Sequence, residues 1–276
     1  MPDAKPVVRQ LNFDLRSMQE KAELGVRRAA AFLGISERML EQELPRSLTL
    51  GRAVRSQFLP DPIPEEAVDG LRENWRAWIT GNALRELDQF LSLYLDAAYD
   101  FVQQAKVYSG EHAPNYVWRR IDGQTNVADK YRDVLTAMGA FDGVHIERHD
   151  CLETLSKARN CLSHDLGIVT PKRVTDGVLS VRWISIQTVM EQSDRAIVLD
   201  DLDAIEDLQL NPEEESHLKI WVVLKKREFA VGDHMHFTPD ELLQLCLFYR
   251  IVFSEVGKTL TDFVRRSGVP FQGDDE

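Results

Sequence analysis

One stretch of the 276-residue chain decides its fold: Leu155-Ser156-Lys157-Ala158-Arg159-Asn160-Cys161-Leu162-Ser163-His164-Asp165-Leu166-Gly167. On a helix with about 100° per residue, its leucines share one side and form an apolar stripe. Arg159 lies on the flank of this stripe, whereas Asn160 and His164 lie on the opposite, polar face. The closing glycine is a usual helix stop. The stretch therefore predicts the end of a helix that covers residues 144–166 and packs its apolar side into a bundle.

Further helices are predicted on both sides of this stretch. Apolar residues at three- and four-residue spacing predict a helix of about 25 residues from Asn82 onward and a shorter helix over residues 127–139. Thr238-Pro239-Asp240-Glu241 has the residues of a helix start, and the apolar run at 242–253 follows it. We therefore expect the last helix to lie in the core of the bundle.

Before that last helix, the sequence period changes from that of helices to that of strands. Leu179, Val181 and Trp183 alternate with polar residues, and residues 218–224 are a second β-rich run. Residues 229–237 are interrupted by Gly232-Asp233 and predict a hairpin. The expected fold is mainly α, a helical bundle with a small antiparallel β insertion at about residues 171–237.

The first seventy residues are predicted to form a separate helical extension. Three alternating prolines within residues 59–64 are incompatible with a helix and predict a stiff connector. The expected domains are therefore 1–70, the extension with its connector, and 71–276, the bundle with its β insertion and acidic loop.

Within this extension, residues 11–33 and 37–44 have helical patterns on either side of a break at Leu33-Gly34-Ile35-Ser36. Two helices joined by a glycine turn are typical of helix-turn-helix DNA readers. The second helix, however, carries three glutamates against one arginine, and these carboxylates would face DNA phosphates. We therefore expect an ordinary helical hairpin, and DNA is disfavoured as a partner.

The net charge of −12 is unevenly distributed along the chain. Residues 196–218 hold eight carboxylates and no Lys or Arg, and the chain ends in Asp-Asp-Glu. The remainder is close to neutral, so the acidic total does not exclude local binding of RNA.

Three further features bear on location. No apolar run approaches the roughly 20 residues of a membrane span, so no membrane partner is expected. The N-terminus has no secretory signal pattern. Three cysteines without a C-x-x-C pair point away from disulfides and structural zinc. A cytoplasmic location is therefore expected.

The pattern Arg159-Asn160-x-x-x-His164, followed by Asp-Leu-Gly, resembles the R-x4-6-H signature of the HEPN superfamily, in which a polar residue follows the arginine. The glycine-containing segment before the last helix is also similar to that of cytoplasmic HEPN proteins. The resemblance implies a small helical bundle that pairs into a dimer. In active members the motifs of both subunits meet in a cleft and cut RNA without a metal.

The resemblance also implies a role for each motif residue. His164 would act as general base or general acid, because histidine side chains titrate near neutral pH. Arg159 would stabilise the charged phosphorane, and Asn160 would orient either the phosphate or the histidine. No metal or other cofactor is expected. The residues expected to bind RNA phosphates are Lys157, Lys172 and Arg173.

The helix geometry adds two conditions. Arg159 and His164 point about 140° apart on an ideal helix, too far to share one phosphate. Two subunits, or an unwound last turn before Gly167, would let them converge. Arg159 also needs an anionic partner, a cleft or a subunit boundary, because a guanidinium is costly to desolvate alone.

The sequence therefore predicts a metal-independent endoribonuclease of the HEPN type, as in toxin or phage-defence systems. Its expected partners are RNA, a second copy of the chain, and an antitoxin or other neighbouring regulatory protein. The alternative is a non-catalytic, dimeric HEPN-like module that binds RNA or a partner protein. A metal site at His234-x-His236 has little support, because no Cys or further His is near in sequence.

Overall fold

The computed structural model describes residues 14–45, 47, 49–50, 56–57, 59–124, 126–192, 195–198 and 215–270. Nearly all of the acidic loop at 200–215 and the acidic end of the chain, both singled out in the sequence, lie outside the described residues. No helix within the described ranges has the length and apolarity needed to cross a membrane.

The described part of the chain is mainly helical, as predicted. Its helices are α1 (Leu15–Leu40), α2 (Glu65–Tyr108), α3 (Val127–Ala137), α4 (Gly143–His164) and α5 (Pro239–Arg266). They enclose one hydrophobic core. α2 contacts all four other helices, α1 also packs on α5, and α3 also packs on α4. The site described below therefore lies within a single helical bundle.

Two antiparallel sheets accompany the bundle. Their strands are β1 (Thr49–Leu50), β2 (Ser56–Gln57), β3 (Val178–Gln192), β4 (Arg195–Val198) and β5 (Ser216–Ala230). β1 pairs with β2, and the larger sheet has the order β4-β3-β5. β3 and β5 pair over their full lengths, and β3 packs its buried side chains, including Trp183, against α5. The small antiparallel insertion before the last helix is confirmed.

α1 is one continuous helix, so the predicted break at residues 33–36 is wrong. Gly34 is exposed with nothing within 4 Å of the position that a Cβ would occupy, and an isolated glycine costs a helix only about 1 kcal/mol. Ser36 is buried, and its hydroxyl accepts a hydrogen bond from Trp75 Nε1 at 2.6 Å. Packing against α2 thus overrides the local signal. Neither a helical hairpin nor a helix-turn-helix forms.

α2 begins at Glu65, well before the predicted start at Asn82, and the domain boundary expected at residue 70 falls inside it. The buried positions of α2 before Asn82 are small residues, Ala77, Thr80 and Gly81, which give no apolar period. α1 also contributes buried side chains to the core that it shares with α2 and α5. The N-terminal helix is therefore part of the bundle rather than of a separate unit.

The predicted hairpin at residues 229–237 is replaced by another pairing. β5 ends at Ala230, and the segment behind it lies beside the residues that follow α4. Val169 donates its backbone N–H to the Asp233 oxygen at 2.9 Å, and Met235 donates to the Gly167 oxygen at 2.7 Å. The hairpin prediction was wrong because the partner strand is distant in sequence. This pairing fixes the end of α4, where the motif lies.

Candidate functional site

The motif residues lie in the last two turns of α4. The helix is regular up to His164, and Gly167 has φ +78° and donates its backbone N–H to the Cys161 oxygen at 3.2 Å. The predicted stop at Gly167 is confirmed. The unwound last turn that would have brought Arg159 to His164 within one chain does not form in this described segment.

Arg159 is held by a carboxylate in the core. Its Nη1 donates to Asp88 Oδ2 in α2 at 2.6 Å, and Asp88 Oδ1 accepts from the Tyr249 hydroxyl of α5 at 2.5 Å. The side chain of Asp88 is only 5% exposed, and that of Arg159 is 21% exposed. The expectation that Arg159 needs an anionic partner is confirmed. The Asp88 carboxylate thus joins α2, α4 and α5.

The electrostatics of this network follow from burial. Burial raises the pKa of Asp88 to about 6, although the Arg159 guanidinium and the Tyr249 hydroxyl oppose the increase. Burial also raises the pKa of Tyr249 well above its usual value, so its hydroxyl remains a neutral donor. At neutral pH, Asp88 is therefore mostly ionised and paired with Arg159.

Asn160 orients Arg159 rather than His164. Its Oδ1 accepts from Arg159 Nη2 at 3.1 Å and from Arg159 Nε at 3.3 Å. His164 is exposed at the end of the helix. The structure thus brings Arg159 and Asn160 together, and His164 is accessible one turn after Asn160.

Two of the three residues expected to bind RNA share one carboxylate. Lys172 Nζ lies 2.7 Å from Asp165 Oδ1, and Arg173 Nε lies 2.7 Å from Asp165 Oδ2. The hydrogen bond from Lys172, followed by that from Arg173, lowers the pKa of Asp165 despite its desolvation. Lys157 pairs instead with Glu153 at 3.0 Å, on the exposed surface of α4. The positive charge of Lys172 and Arg173 is therefore partly neutralised already.

A pocket of about 610 Å³ opens between α4 and the β3–β5 pair. Of the residues expected to bind RNA, Lys157 and Arg173 line it, whereas Lys172 does not. Arg182 of β3 and Lys226 of β5 also line it, and the strand register places these two directly opposite each other. Lys226 belongs to the basic run Lys225-Lys226-Arg227, one of several in the sequence that could contact phosphate, whereas Arg182 was not singled out. Only the pairing of distant strands brings the two together.

Asp88 and Tyr249 were also missed from the sequence. Asp88 carried a usable signal, since it lies four residues after Leu84 and three before Leu91 in the apolar stripe of α2. A carboxylate at such a position needs a buried partner. Its partners could not be chosen from the sequence alone, because they lie on two other helices.

Neither a search of the described residues for metal-binding groups nor the comparisons with known proteins indicate a further site. The described residues contain no group of three or more His, Cys, Asp or Glu side chains that could hold a metal ion, and His234 and His236 are both exposed. No family model, curated protein or solved structure matches this chain. The resemblance to HEPN proteins therefore rests on the motif and the adjoining sequence pattern.

Proposed function

We propose that this protein is a metal-independent endoribonuclease of the HEPN type, with Arg159, Asn160 and His164 as its catalytic residues. One observation carries the proposal: the motif helix combines an accessible histidine with a guanidinium whose orientation Asp88 and Asn160 fix. A guanidinium oriented in advance stabilises developing phosphorane charge without reorganisation during the reaction. RNA as substrate fits action in the cytoplasm, with an antitoxin-like neighbouring protein as the restraint on this activity.

In the proposed reaction, the 2′-oxygen of RNA attacks the adjacent phosphorus and the bond to the 5′-oxygen breaks. His164 takes the proton from the 2′-hydroxyl, and the protonated His164 then gives a proton to the leaving 5′-oxygen. Arg159 binds the charged phosphorane between these steps. The products are a 2′,3′-cyclic phosphate and a 5′-hydroxyl end.

This chemistry requires two copies of the chain. Because α4 stays regular to its end, Arg159 and His164 of one copy face different directions. A two-fold axis beside the α4 helices would bring Arg159 of one copy next to the partner's His164 and create two equal sites. Light scattering at high protein concentration is expected to give a dimer, and a monomer would contradict this arrangement.

The decisive experiment incubates the purified protein with assorted RNAs in excess chelator. We expect fragments that end in a 2′,3′-cyclic phosphate or a 3′-phosphate, and we expect none from the His164→Ala variant. His234→Ala is the matched control, because it removes an exposed histidine outside the motif. If the wild type leaves all RNAs intact, or if both His164→Ala and Arg159→Ala cleave normally, the proposal is wrong.

A non-catalytic dimeric module that binds RNA or a partner protein is the second candidate function. The ion pair between Arg159 and Asp88 favours it, because a guanidinium bound to a buried carboxylate has a structural role without any substrate. This function predicts binding without cleavage. Arg159→Ala would then lower stability and would change no chemical step.

A further inference from the structure

The pocket between α4 and the β3–β5 pair concentrates positive charge in an acidic protein. Arg182 and Lys226 are direct cross-strand neighbours, and like charges in such positions destabilise a sheet. Lys157 and Arg173 also line the same cavity of about 610 Å³. The acidic groups in its lining are Asp176 and Glu228, so cations outnumber carboxylates there in a chain of net charge −12. Such a site suits an anion.

Most of these cations are available to a ligand. Lys157 and Lys226 pair with Glu153 and Glu228, and in both pairs the two side chains are about half exposed. Arg182 Nη2 lies 3.4 Å from Asp150, again near the surface. Exposed ion pairs contribute only about 0–1 kcal/mol, so exchanging them for a phosphate costs little. Charge-assisted hydrogen bonds to phosphate oxygens are roughly twice as strong as neutral ones.

Hydrogen bonds within the protein preorganise the wall of the pocket. The Thr154 hydroxyl of α4 accepts the backbone N–H of Arg182 at 3.0 Å, which joins the helix directly to β3. Arg173 is held by Asp165, and its Nη2 lies 3.5 Å from the Asn160 carbonyl oxygen. A pocket fixed in this way loses little conformational entropy when it binds.

The pocket adjoins the catalytic motif. Lys157 lies one turn before Asn160, on the face of α4 that also carries His164. Arg173 reaches the backbone of Asn160 from the other side. The described lining contains no aromatic side chain on which a base could stack, which favours recognition of phosphate rather than of a base.

We propose that this pocket is a phosphate-binding subsite for the RNA strand, which holds a backbone phosphate next to the one that is cleaved. The inference rests on the proposed function for its choice of RNA. Arg182 and Lys226 are its new residues, together with Lys157 and Arg173. They bind and position the strand without taking part in the chemical step.

The test compares RNA binding by His164→Ala with and without the added pair Arg182→Gln and Lys226→Gln. His164→Ala prevents cleavage, and a labelled single-stranded RNA is titrated at several salt concentrations. We expect the added pair to weaken binding about tenfold at low salt and to reduce the slope of log affinity against log salt by up to about 1.4, at roughly 0.7 per contact. Lys219→Gln with Lys258→Gln, two exposed lysines outside the pocket, is the matched control with the same charge loss. Its slope should stay near that of the parent protein.

Each outcome has a defined meaning. Parent-like affinity and slope in the Arg182/Lys226 variant would overturn the subsite, even if wild-type protein cleaves RNA. Reduced binding by this variant in a protein that never cleaves would retain the subsite and refute the endoribonuclease. Inorganic phosphate could also stabilise the protein only when Arg182 and Lys226 are both present, while the affinity for RNA is the same with and without them. This result would show a site for free phosphate and would overturn the assignment to RNA. Lys157→Gln, at an exposed position, repeats the test should the double variant fold poorly.

Discussion

The guanidinium of Arg159 has enough N–H donors for both a structural ion pair and a substrate phosphate. An arginine has five N–H groups in a planar fork. Arg159 uses one for Asp88 and two for Asn160. Two therefore remain, one on each terminal nitrogen, which is the number that a phosphate can accept in a bidentate contact. A structural ion pair and a catalytic role are compatible in this residue.

Asp88 predicts an unusual pH dependence of stability. Its pKa is raised from 3.8 to about 6 on folding, so the folded protein holds this proton more tightly than the unfolded chain does. The contribution of Asp88 to the free energy of unfolding is therefore largest below about pH 4 and falls as the pH rises to about 6.

Asp88→Asn removes this titration and keeps the shape of the side chain. Urea unfolding of both proteins from pH 4 to pH 8 should show the wild type losing stability relative to the variant up to about pH 6, with a constant difference above it. A wild type that instead gains stability relative to the variant over this range would mean that Arg159 outweighs the cost of burying Asp88.

Substitutions of His164 and Arg159 are expected to differ in their effects on the free energy of unfolding. His164→Ala should abolish cleavage and change the free energy of unfolding by no more than about 0.5 kcal/mol, because the residue is exposed at a helix end. Arg159→Ala should abolish cleavage and cost about 3 kcal/mol near neutral pH, because it leaves Asp88 buried without its cation.

RNA cleavage assays and urea titrations of the two variants check this difference. Protonation of Asp88 should reduce the cost of Arg159→Ala at pH 5. Equal stability losses for the two variants would show that the Arg159–Asp88 pair contributes nothing net to folding.

Helices could be predicted correctly where the sequence carries both the helical spacing of apolar residues and a recognisable helix start or end. Asn126 caps α3 through the Ala128 N–H, and Thr238 and Glu241 form the capping box that begins α5. α1 and α2 were misjudged because small side chains form much of their contact, as at Gly25, where Phe90 approaches the backbone. A contact that depends on the absence of a side chain has no hydrophobic signature.

The residues of the candidate site could likewise be predicted only in part. Arg159, Asn160 and His164 could be named because they are neighbours on one helix. Asp88 and Arg182 reach them only through helix packing and strand register. Those contacts depend on three-dimensional arrangement, which a single sequence does not specify.

The two glycines of α1 provide a test of its continuity. A Cβ at Gly25 would lie 2.5 Å from Phe90 Cβ, whereas a Cβ at Gly34 would meet nothing within 4 Å. Gly34→Ala should therefore stabilise the protein by up to about 1 kcal/mol through helix propensity, and Gly25→Ala should destabilise it despite the same propensity gain. Thermal or urea unfolding measures both. Destabilisation by Gly34→Ala would indicate a glycine turn at this position and a broken helix.

At the scale of the whole molecule, the proposed function depends on how two copies combine. If Arg159 of one copy works with the partner's His164, each site in a symmetric dimer draws one residue from each chain. The variants Arg159→Ala and His164→Ala are each inactive alone. A dimer that contains one chain of each kind has one intact site and one site that lacks both residues.

Mixing the two inactive variants under conditions that allow subunit exchange should therefore restore activity. Equal amounts give mixed dimers as half of the population, and each has one working site of two, so about a quarter of wild-type cleavage is expected. Mixing His164→Ala with wild type provides the reference for exchange itself. Mixed dimers without cleavage would mean that arginine and histidine act from the same chain, or that every site needs all four side chains. Because α4 carries Arg159 and His164 on different faces, a site that combines Arg159 of one copy with His164 of the other is favoured.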